Sequence, residues 1–113
     1  MKIKMKMEME KKMEKFEASI AIQVLPQVEG DDELIRVVDK VIAHIKSYNL
    51  NTFVSPFETT IEGDLDTLMD IVKECQKICI REGAANVMSY VKIAYNPDMG
   101  VLTIDQKVTK HHK

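Results

Sequence analysis

The chain has no tryptophan, only two cysteines, three prolines and four scattered glycines among its 113 residues, and each scarcity removes a class of chemistry. Neither G-x-G-x-x-G nor a P-loop can be assembled from those glycines, so no phosphate-cradling nucleotide motif is present. Cys75 and Cys79 stand one helical turn apart, with no second cysteine pair and no flanking histidine pattern, which is too little for a structural zinc site. They read instead as two small apolar residues of a reducing compartment. No apolar run approaches the roughly 18 residues that span a bilayer, nor is there the continuous apolar segment of roughly 7 to 15 residues that marks a signal peptide. A cytoplasmic protein without a membrane span is expected. The three histidines, His44, His111 and His112, have no orienting neighbour at useful spacing, and His44, at the border of an apolar helical face, reads as a surface residue. No nucleophile and base stand together, so nothing supports catalysis.

What remains is the composition of one globular domain, 45% hydrophobic and 30% charged. The net charge of -2 conceals an asymmetry: residues 1 to 15 carry six lysines and three glutamates, leaving -5 on the rest. That acidic body has no basic stripe interleaved with aromatics, so a nucleic-acid partner is not expected. The first 15 residues also hold five of the eight methionines. Odd positions 3 to 9 alternate as in a strand, whereas Met9, Met13 and Phe16 have helical spacing, and neither pattern is sustained. Residues 1–15 are therefore read as an extension outside the fold, with a membrane-surface or partner helix as the alternative. Residues 16–110 form the domain and 111–113 a tail.

From Ala18 the pattern is definite. Ile20, Ile22 and Val24 alternate with Ser19, Ala21 and Gln23 along a strand that Pro26 ends. Gly30 and the acidic run Asp31, Asp32, Glu33 open a helix whose face is Leu34, Val37, Val38, Val41, Ile42, Ile45 and Tyr48. Asn49 suits a left-handed stop, and Thr52 to Ser55 a short strand interrupted by Pro56. Glu58 to Glu62 is a third strand, after which Asp64 caps a second helix carrying Leu65, Leu68, Met69, Val72, Cys75 and Cys79 on one face up to Gly83. Val87 to Tyr95 is a fourth strand closed by Asn96-Pro97-Asp98-Met99-Gly100. Thr103 and Gln106 have capping-box spacing, so Thr103 to about Lys110 makes a short terminal helix or, in the alternative, a fifth strand.

The order βαββαβ, in two similar halves, predicts an α+β, ferredoxin-like fold: a four-stranded antiparallel sheet with two helices on one face and a short C-terminal helix. The other face is left bare, which favours sheet-to-sheet assembly into a homo-dimer or homo-tetramer. Polar residues interrupt the strands at Gln23, Ser55, Thr59, Thr60, Glu62, Ser89 and Lys92. Ordinary two-faced alternation explains each singly, while together they suit a small-molecule pocket at an oligomer interface. Three classes stay open: a ligand-binding protein, an assembly module whose bare sheet serves only self-association, and a small enzyme, which needs a titratable pair that the sequence does not display.

Gln23-Val24-Leu25-Pro26, then Ser55-Pro56 followed by Thr59-Thr60-Ile61-Glu62-Gly63-Asp64, and Val91-Lys92-Ile93 resemble, in order and spacing, the small thiamine-binding proteins of bacteria and archaea related to YkoF. The resemblance covers about residues 17 to 110. It implies a non-catalytic binder of thiamine or a related pyrimidine, requiring no cofactor, with the site near subunit interfaces. It places ligand contacts at Gln23, Thr59, Thr60, Glu62, Ser89 and Lys92. Glu62 is expected to meet the thiazolium cation and Glu58 to face solvent, with Phe53, Phe57, Tyr90 or Tyr95 as an aromatic wall. Two departures from the family pattern are the extension and Ala21, where serine is common.

Because the extension lies outside the recognised domain, deletion of residues 1–15 is expected to leave the melting temperature and the oligomeric state unchanged. Thermal melts and light scattering check this. A fall of several degrees, or dissociation, would place the methionine-rich segment in the core or the interface.

Overall fold

The computed structural model describes residues 15–111. The elements run β1 (Ala18–Pro26), α1 (Asp31–Lys46), β2 (Thr52–Val54), β3 (Thr59–Gly63), α2 (Leu65–Arg81), β4 (Val87–Tyr95) and α3 (Ile104–Val108), followed by a 3-10 turn at Thr109–His111. The methionine-rich segment up to residue 14 lies outside the described residues, as do residues 112 and 113.

All strands pair antiparallel in the order β2-β3-β1-β4. This is the ferredoxin-like arrangement expected from the βαββαβ order. Alternation along β1 assigns its faces: Ala18, Ile20, Ile22 and Val24 are buried under the helices. Val37, Val41 and Ile45 of α1 meet them, together with Leu68, Ile71, Cys75, Ile78 and Cys79 of α2 and Ile61 of β3. The stripe on α2 thus advances through Leu68, Ile71, Cys75 and Ile78, the spacing of about 3.6 residues per turn. Met69 was expected on that face. One residue on from Leu68, it is turned about 100° away and is 39% exposed. Leu34 and Tyr48, expected on the buried face of α1, are 37% and 36% exposed, Leu34 in the first turn of α1 and Tyr48 just past its last residue.

The helix termini differ in how they are held. Asp64 is the N-cap of α2, its side chain accepting from the Thr67 N–H at 2.9 Å. The Glu17 carboxylate, reaching from just before β1, accepts from the Leu65 N–H at 2.9 Å. At α1 the N-cap is Gly30 at φ 85, with no side-chain cap. The first turn of α1 is tied down instead through Arg36, which pairs with Glu33 and reaches Glu82 beyond the end of α2, donating to both its carboxylate and its carbonyl at 2.7 Å. Asn49, at φ 56, is the left-handed stop read from the sequence.

The capping box forms as expected, Thr103 accepting from the Gln106 N–H and Gln106 from the Thr103 N–H, and the terminal element is a helix rather than a strand. The turn before it docks on the start of the domain. The Phe16 carbonyl accepts from the Val101 N–H at 2.9 Å. Gly100, at φ 79, passes so close that a Cβ there would lie 2.6 Å from the Cβ of Lys15, so only glycine fits.

Asp64→Ala removes a cap and is expected to cost about 1 kcal/mol at pH 7. The cap hydrogen bond from Thr67 lowers the Asp64 pKa in the folded state. The stabilisation is therefore present above the unfolded-state pKa and is lost as pH falls through the lower folded value. Urea denaturation of both proteins from pH 7 to pH 2 should show the two curves converging at the acid end; a constant gap would refute the cap assignment.

Candidate functional site

The face of the sheet opposite the helices is built in rows set by strand register. Phe53 of β2 pairs with Thr60 of β3, Thr60 with Ala21 of β1, and Ala21 with Lys92 of β4. An aromatic ring, a hydroxyl, a methyl and an ammonium thus cross the sheet in one line. Because Ala21 is the small residue at the centre, the line sags there. All four residues line a cavity of about 280 Å³.

Glu58 spans this hollow from the β3 side to Lys92 of β4, with Nζ to Oε2 at 3.3 Å. The loop before β3 fixes Glu58, since the Ser55 N–H and hydroxyl both donate to the Glu58 carbonyl, at 3.0 and 2.7 Å. The Lys92 side chain is 76% exposed and that of Glu58 32%. Exposed pairs of this kind contribute about 0 to 1 kcal/mol, so the bridge can open for a competing charge at little cost. The end of the cavity is closed by α3, which contributes Ile104, Lys107 and Val108.

Of the residues expected to form a site, Thr60 and Lys92 line the cavity together. Gln23 is on the same face, one row further along β1 opposite Tyr90, and also borders a second cavity. Thr59 and Ser89 share strand parity with Ile61 and Val91, so they point to the helix side. Thr59 is buried there, opposite Ile22, and the Ser89 hydroxyl donates to Gln76 of α2 at 2.6 Å.

Glu62 is on the bare face but is only 1% exposed. One carboxylate oxygen accepts from the Asn51 side chain at 2.5 Å, the other from the Ile104 N–H at 2.7 Å. The surroundings of the two carboxylates differ from those expected: Glu62, expected to meet a ligand cation, is covered, while Glu58, expected to face solvent, lines the cavity. Glu62 holds α3 down, and Glu58 is the carboxylate in the cavity. Strand parity carried the signal for Glu58, since Glu58, Thr60 and Glu62 alternate with the core residue Ile61; which of the two carboxylates α3 would cover was not written locally.

The other candidates offer little chemistry. Burial pushes the Cys75 thiol up to about 12, with neighbouring Cys79 adding to the effect, and burial likewise raises Cys79. Neither is a thiolate near neutrality. His44 is half-buried rather than a surface residue: its ring packs edge-on to Tyr48 at 5.2 Å, and its Nε2 is buried without a hydrogen bond to any of the described residues. Among the described residues no group of three or more His, Cys, Asp or Glu is placed to hold a metal ion, and no helix is long and apolar enough to cross a membrane. The second cavity, about 170 Å³, opens between α1 and residues 54–59 and is lined mainly by aliphatic side chains such as Leu34, Val38 and Ile42.

Residues 20–112 match a family model described as thiamine-binding protein. A UPF0045 protein of Clostridium perfringens is 50% identical over 93 residues, covering 82% of this chain and 95% of its own length. Among solved structures, the chain is similar to a DUF77 domain from Bacillus cereus, with 40% identity, a TM-score of 0.75 and coverage of 83% and 88% of the two chains. It is also similar to a protein of Thermotoga maritima called a candidate thiamine biosynthesis/salvage protein, with 34% identity, a TM-score of 0.72 and coverage of 83% and 97%.

Glu62→Gln keeps the shape but turns an N–H₂ toward a donor. Buried donors left unpaired cost about 1 to 3 kcal/mol, and that is the destabilisation expected in urea. Hydrogen exchange should accelerate at Ile104–Val108 ahead of the sheet. Unchanged protection of α3 in the variant would show that Ile104 packing alone holds it.

Proposed function

The chain belongs to the thiamine-binding protein family, and on that footing we propose that it binds thiamine or a related pyrimidine on the bare face of its sheet without transforming it. The observation that carries this reading is the row Phe53, Thr60, Ala21, Lys92 with Glu58 above it. Thiamine presents a cationic thiazolium and a hydrogen-bonding aminopyrimidine. Glu58 supplies the counter-charge once Lys92 swings aside, and the Phe53 ring offers a face on which a partly desolvated cation gains about 0.5 to 2 kcal/mol. Thr60 supplies a hydroxyl, Gln23 an amide one row away, and Ala21 the room. Glu62 acts on the site indirectly, by fixing α3 as its end wall; Thr59 and Ser89 support the floor from the helix side. No cofactor is required.

The cavity lies near the lower limit of ligand pockets, which run from about 300 to 1,000 Å³. Beside it Leu25, Met88 and Tyr90 are 37%, 56% and 58% exposed on the same face. A second copy laid against that patch would deepen the hollow, and the patch therefore supports a site at the interface of a homo-dimer or homo-tetramer. The same apolar patch supports a second reading, in which the face serves assembly alone.

Protein first freed of bound ligand should melt higher with thiamine. Free ligand at about 100 times Kd stabilises by roughly 2.7 kcal/mol per site, and a domain of this size shifts by about 4 to 8 °C per kcal/mol. Glu58→Gln should weaken binding, while sedimentation should report a dimer or tetramer. An assembled protein giving neither heat nor thermal shift with thiamine, its phosphates or the hydroxymethyl pyrimidine would leave the assembly reading standing.

A further inference from the structure

The charge lining the cavity is not what a simple cation needs. One carboxylate, Glu58, faces two ammonium groups, Lys92 and Lys107. Glu58 is already paired with Lys92, and Lys107, an exposed residue one turn on from the buried Ile104 on the cavity side of α3, forms no ion pair among the described residues. A thiazolium that takes Glu58 displaces Lys92, leaving two unpaired ammonium groups at the edge of a cavity that now holds a third positive charge. Like charges gathered in this way oppose binding, and more so as the site is desolvated.

A phosphate ester on the ligand resolves the conflict. It carries about -1.5 to -2 at pH 7 and three acceptor oxygens, which matches the two ammonium groups and brings the occupied site close to neutrality. Building on the proposed thiamine-type site, we propose that its preferred ligand class is a cationic heterocycle carrying a phosphate monoester. The cation exchanges with Lys92 at Glu58, and the released Lys92 joins Lys107 in receiving the phosphate. Lys107 is thereby the residue that distinguishes phosphorylated from free ligand.

Calorimetry on the full chain, freed of ligand, with thiamine and with thiamine monophosphate at low and high salt tests this. The monophosphate should bind the wild type several-fold more tightly, with the gap narrowing as salt rises. Lys107→Gln should weaken monophosphate binding about tenfold, the size of one charge-assisted hydrogen bond, and tighten thiamine slightly, because it removes one of the opposing charges. Lys92→Gln should move the two ligands in opposite directions, weakening the monophosphate and strengthening thiamine, because it removes the competitor for Glu58. Lys110→Gln, outside the cavity, should change neither.

Thiamine binding at least as tightly as its monophosphate would overturn this inference and leave the thiamine site intact. So would equal loss of both ligands in Lys107→Gln, or an effect of Lys110→Gln as large as that of Lys107→Gln. Absence of binding by either ligand to the wild type would remove the proposed site itself, and this inference with it.

Discussion

Both long helices cover the same face of the sheet, and the character of the opposite face follows from that one-sided cover. On the helix side, alternation simply buries Ile20, Ile22, Val24 and Ile61 in a common core. On the other side the described residues build no full second layer, and the face is handled region by region. One end is capped by α3 through the buried Ile104. The middle keeps the hollow over Ala21. The far end, with Leu25, Met88 and Tyr90, is left apolar and exposed. The proposed binding and the proposed self-association thus draw on the same imbalance.

The junction between the capped end and the hollow depends on a group that is costly to bury. A carboxylate removed from water is tolerated only when its oxygens are hydrogen-bonded. Glu62 meets that condition by recruiting the segment before β2, through Asn51, and the first amide of α3, through Ile104. These partners lie 11 and 42 residues away in sequence. The end wall of the cavity is therefore specified by a long-range polar contact as well as by apolar packing.

That division explains what could be read from the sequence. Strands, helices and caps were legible because their signals are local: the period-two alternation of β1, the Asp64 cap, the Thr103 and Gln106 box and the left-handed Asn49. The fold followed from their order. The composition of the site was legible only in part, because shared strand membership does not mean a shared face. Thr59 and Ser89 have the parity of core residues, which the sequence did disclose through Ile61 and Val91. That Glu62 is covered while Glu58 lines the cavity was not disclosed in either neighbourhood, since it depends on where α3 folds back. Likewise, Lys107 joins Lys92 only through the tertiary path of the last turn.

The unequal anchoring of the two long helices gives the repeat-like halves different responses to their surroundings. At the start of α2, Asp64 and Glu17 bond backbone amides at short range. The start of α1 depends instead on the exposed Arg36, held between Glu33 and Glu82. Charge pairs open to water weaken as ionic strength rises, whereas hydrogen bonds to backbone amides are less affected. Ionic strength therefore acts as a selective solvent on this molecule, loosening the first turn of α1 and its hold on the end of α2 while the β3 to α2 corner beside the cavity keeps its shape.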